Sequence, residues 1–64
     1  MEYTKEELLE AKRQIDSTLY KLRKTILTLQ GKETPARYKS QITLAQRRVK
    51  AFEIAVALTE KELE

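Results

Sequence analysis

A chain of 64 residues with one Gly, one Pro, no Cys and no His is one small domain, and at that length only roughly 60% of the unfolded surface is buried on folding. The absence of Cys excludes a disulfide framework, and its absence together with His argues against a zinc site. Of the usual supports for so small a fold, oligomerisation remains. The net charge of +3 conceals a sorting: eleven Lys and Arg from Lys12 to Lys50 face only Asp16 and Glu33, giving that segment +9, while residues 1–11 and 51–64 carry −3 each.

The N-terminal run Met1-Glu2-Tyr3-Thr4 is acidic and polar where a secretory signal is basic and then apolar, so a cytoplasmic protein is expected. The longest uncharged apolar run, Ile54 to Leu58, is far short of the ~20 residues of a membrane span. No membrane partner is expected.

Helix one starts at a Thr4-x-x-Glu7 capping box, with Tyr3 and Leu8 as its hydrophobic staple. Apolar residues then recur at Leu8, Ile15, Leu19, Leu22, Ile26 and Leu29, a 4-3 spacing that keeps one seam on one face and is interrupted only by Lys12. Gly31, able to adopt the left-handed conformation, is the expected stop; Thr34 as N-cap and Pro35 at the first helical position are the expected restart. Helix two reads Tyr38, Ile42, Ala45, Val49, Phe52, Val56, Thr59, Leu63 in the same alternation. The expected fold is all-α: a coiled-coil-like antiparallel two-helix hairpin, a single domain over residues 1–64 with helix 4–30, turn 31–34 and helix 35–62. At 1.5 Å per residue the hairpin is roughly 40 Å long. The largest seam residue is Phe52, and its truncation to Ala is expected to cost about 3–5 kcal/mol.

Further apolar residues lie outside the seam: Tyr20 and Leu27 on helix one, and Leu44, Ala51, Ile54, Ala55 and Leu58 on helix two. Scattered surface apolars are ordinary, and a groove for another protein's amphipathic helix is a second reading. The favoured one is a self-complementary face that packs two hairpins into a four-helix bundle, a homodimer.

The catalytic inventory is empty. The chain has no His, no Cys, no phosphate-cradling glycine loop and no nucleophile elbow, so no enzyme, cofactor or small-molecule substrate is expected. Glu6 and Glu10 sit one turn apart, but bundle metal sites pair such carboxylates with Glu-x-x-His partners, and acids at a helix N-terminus are favoured by its dipole. A small interaction or regulatory protein acting through helix packing is the leading functional expectation.

The basic segment supplies the alternative. Arg13, Lys21 and Lys24 surround Tyr20 on helix one, with Arg37, Arg47 and Lys50 on helix two, and cations with an interleaved aromatic suit a phosphate backbone and an unpaired base. Helix two also carries its charges against its own dipole, Arg37 and Lys39 in the first turns and Glu60, Glu62 and Glu64 in the last. Either two hairpins pair head to tail, acidic end beside basic turn, or the basic end binds nucleic acid or another polyanion. In size and layout this architecture resembles the small dimeric helical-hairpin regulators of plasmid copy number, a likeness that implies RNA as a partner.

Overall fold

The computed structural model describes residues 2–64 and consists of helix α1 (Lys5–Gln30), a 3-10 turn (Pro35–Tyr38) and helix α2 (Lys39–Leu63). Met1 lies outside the described residues. The two helices pack along their length as a hairpin of 46 × 16 × 15 Å. Arg23 meets Glu53 across it, while Leu8 shares a groove with Leu58 and Thr59, which fixes the antiparallel register.

The α1 start follows the capping box. Glu7 N–H donates to Thr4 Oγ1 at 3.1 Å and Thr4 N–H donates to Glu7 Oε1 at 2.9 Å, so two amides without helical partners are satisfied reciprocally. Tyr3 and Leu8 line a common groove beside that cap.

Two expectations about the turn are corrected. Gly31 is right-handed, with φ −83° and ψ −2°. The helix closes instead by tightening: Gly31 N–H donates to Leu27 O at 3.1 Å and Lys32 N–H to Leu29 O at 3.3 Å, an α turn followed by a 3-10 turn. Thr34 makes no side-chain cap bond. Its ψ is 73°, against 160° at Thr4, and three residues on stands Arg37, which has no oxygen to return. Arg37 N–H goes to Thr34 O at 3.0 Å, so the segment from Pro35 begins as a 3-10 turn and becomes α-helical only at Lys39.

The 4-3 seam is where the helices meet. With seam positions lettered a and d, α1 contributes Leu8, Lys12, Ile15, Leu19, Leu22, Ile26 and Leu29, and α2 contributes Ile42, Ala45, Val49, Phe52, Val56, Thr59 and Leu63. Every one is buried or half-buried, as is Tyr38 in the 3-10 turn. Lys12 keeps its place by lying along the seam with Nζ on Asp16 at 3.1 Å.

The seam is thinly covered. Among the described residues only Leu19 (4% exposed) and Ala45 (7%) are buried apolar residues, and Phe52 is half-buried. The hairpin exposes 5470 Å², whereas a compact monomer of its mass exposes roughly 4,200 Å². Its radius of gyration is 14.7 Å, against about 11 Å for a compact chain of this length.

Candidate functional site

In an antiparallel pair of helices the positions flanking the seam meet like with like, g beside g on one side and e beside e on the other. The Arg23–Glu53 ion pair, at 2.8 Å, joins two e positions and so identifies the e side. That side is charged. It carries Asp16 and Arg23 from α1 with Glu53 and Glu60 from α2, and beyond them Arg13 and Lys50 at the b positions. Two of its acids are neutralised, Asp16 by Lys12 and Glu53 by Arg23. The Asp16 hydrogen bond, then its charge, and least of all Glu60 raise the Lys12 ammonium above its ordinary value.

The g side carries fewer charges. From α1 it presents Ala11, Thr18 and Thr25 at g, with Lys21 among its c positions; from α2, Gln41, Arg48, Ala55 and Glu62 at g and Leu44, Ala51 and Leu58 at c, the next position outward. Thr18 Oγ1 donates to Gln14 O at 3.1 Å, Thr25 Oγ1 to Lys21 O at 3.0 Å, and Thr59 Oγ1, from the adjoining seam, to Ala55 O at 2.8 Å. With those hydroxyls turned onto their own helix, what these side chains offer a neighbour is their methyl groups. Leu44 (48%) and Leu58 (61%) are exposed beside them. At the open end this side continues into a groove of about 660 Å³ whose lining includes Leu8, Ala11 and Thr59 together with Glu6, Glu7 and Glu10.

The seven apolar residues expected to form one interface therefore divide. Leu44, Ala51, Ala55 and Leu58 lie together on the g side, whereas Tyr20 and Leu27 occupy b positions on the e side and Ile54 occupies the outer edge of α2. Ala55 is half-covered by its own hairpin and the other six are exposed. Two residues of the apolar sides escaped the sequence reading: Leu9, at e, and Ala11, which shares the seven-residue spacing of Thr18 and Thr25. That spacing was the available signal.

The basic residues divide as well. Arg13, Tyr20 and Lys50 border the e side, and Lys24 stands next to them with Nζ 5.4 Å from the Tyr20 ring centroid, a cation–π contact. Lys21 is on the g side, Arg47 on the outer edge of α2 and Arg37 in the 3-10 turn. Arg13 is paired with Glu10 one turn back. The Glu10 carboxyl, bonded first by Gln14 and then by Arg13, is held below its usual range.

Among the described residues no three acidic side chains come together as a metal-binding group, and no helix is long and apolar enough to cross a membrane. Comparison of the chain with protein-family models, with characterised proteins and with solved structures gives no match.

Proposed function

We propose that the chain is a small non-enzymatic interaction protein, an adaptor or regulator, that works as a cytoplasmic homodimer through helix packing, two hairpins forming a four-helix bundle. The observation that carries this reading is the surplus surface. A compact particle of twice this mass exposes roughly 7,000 Å², so two hairpins of 5470 Å² each would lose on the order of 3,000 Å² or more on becoming one bundle, the range of obligate dimers. An isolated hairpin with two buried apolar side chains among its described residues has little to hold it folded. Folding is then coupled to association, and the urea midpoint rises with protein concentration. A midpoint independent of concentration over a hundredfold range contradicts the proposal.

A second reading, a nucleic-acid-binding regulator, is favoured by the Tyr20–Lys24 contact beside Arg13 and Lys50, on the side where both central acids are already neutralised. It predicts RNA affinity that falls steeply with salt and drops when Arg13, Lys24 and Arg47 are neutralised together. Unchanged affinity in that triple variant removes those residues from any such site.

A further inference from the structure

On the g side the apolar run of α2 is symmetric about its own middle. On α2 the c positions read Leu44, Ala51, Leu58, with the small residue at the centre, and on α1 the g positions read Ala11, Thr18, Thr25, three small side chains, both runs at seven-residue spacing. The register fixed by Arg23 with Glu53 and by Leu8 with Leu58 and Thr59 places Thr18 and Ala51 at about the same height, near mid-length of the hairpin. A two-fold axis at that height, lying across the hairpin, would set each helix antiparallel on its own copy. Ala51 then meets Ala51 and Thr18 meets Thr18, where close approach needs small side chains, and each Leu44 falls opposite a Leu58.

Charge favours the same arrangement. α2 starts at Lys39, with Arg37 in the 3-10 turn before it, and its end carries Glu60, Glu62 and the C-cap Glu64 against Lys61, an order that opposes the dipole of the helix itself. Laid antiparallel on a second α2, each acidic end lies beside a basic start. Glu6, Glu7 and Glu10, which line the open-end groove, likewise come beside the basic turn with Lys32, Arg37 and Lys39. Burial supplies the affinity and the sorted charge the orientation.

We infer that the g side docks a second copy of this chain antiparallel, about a two-fold axis at the height of Thr18 and Ala51, with Leu44 of each copy packed against Leu58 of the other. The inference rests on the homodimer reading and adds to it the face, the orientation and the pairs in contact. It leaves the e side, with Tyr20, Lys24 and Lys50, on the outside of the dimer.

The chain has no native cysteine, so single-cysteine variants of the full chain test this directly by oxidative cross-linking, a disulfide needing Cβ atoms about 4 Å apart. Ala51→Cys should give predominantly linked dimer. Leu44→Cys and Leu58→Cys should each stay unlinked, because fourteen residues put the two copies of either position about 20 Å apart, yet an equimolar mixture of the two should link. Ala57→Cys, a b position on the e side, is the control and should stay unlinked. Linking at Ala57→Cys but not at Ala51→Cys places the interface on the wrong side and overturns the inference. Efficient self-linking of Leu58→Cys overturns the orientation. In both cases a wild-type mass of two chains would leave the homodimer reading standing, whereas a wild-type mass of one chain removes that reading and this inference together.

Discussion

Thr4 and Thr34 are the same residue in the same role by sequence, and only one of them caps a helix. Thr4 has Glu7 three residues on and gains a reciprocal pair of hydrogen bonds; Thr34 has Arg37 there and gains none. Thr4→Ala should therefore cost about 1 kcal/mol, while Thr34→Ala should stay within about 0.5 kcal/mol, both read from urea midpoints at fixed protein concentration. Gly31 makes the complementary case. Its φ is −83°, and a methyl group built there would meet Leu27 O at 3.4 Å and Thr28 O at 3.6 Å, ordinary contact distances. Gly31→Ala should then stabilise by about 0.4–1 kcal/mol through the narrower unfolded ensemble; a left-handed Gly31 in solution would make the same change destabilising. Two charged groups, Glu10 and Lys12, set a weak pH dependence. Glu10 is held below the usual carboxylate range, so its contribution is present at neutral pH and lost as pH falls through that lowered value. Lys12 is held above its ordinary value, so its contribution is present below that value and lost as pH rises through the raised one. Helicity followed by circular dichroism should be flat between those limits, with shallow losses outside them that added salt diminishes.

At the scale of the elements, the helices and their seam were legible because each signal is local or periodic. The capping box lies within four residues, and the 4-3 spacing identifies inward-facing residues whatever the partner helix is. The turn was less legible. Whether Gly31 turns left or right depends on how Lys32 closes onto Leu29, and the start of α2 depends on Arg37 standing where a capping box has Glu. The division of the apolar residues was hidden for a different reason. Tyr20 and Leu27 look equivalent to Leu44 and Leu58 along the chain, and only the pairing of g with g and e with e in an antiparallel hairpin puts them on opposite sides. Arg23–Glu53, which marks those sides, is an exposed pair. Arg23→Ala should accordingly change stability by less than about 1 kcal/mol, and a larger loss would mean that the e side is covered in solution.

At the scale of the whole molecule, one hairpin does not close its own core. Phe52 shows this most plainly, being half-buried where the sequence led us to expect the centre of a core. The expected loss of about 3–5 kcal/mol for Phe52→Ala belongs to a fully enclosed phenylalanine, and a second copy on the g side, toward which the d position of α2 leans, would provide that enclosure. Phe52→Ala should therefore abolish both dimer and fold at low concentration. A loss of only about 1 kcal/mol, independent of concentration, would mean that the hairpin stands alone. In the proposed dimer the sorted charge would guide the orientation of one copy on the other. The most direct measurement is the solution mass by sedimentation equilibrium at about 50 mM and about 500 mM salt, the second of which cuts the reach of charge to a few ångströms. The proposed apolar interface predicts twice the 7.5 kDa chain mass at both salts, and a mass of one chain at either salt would contradict it.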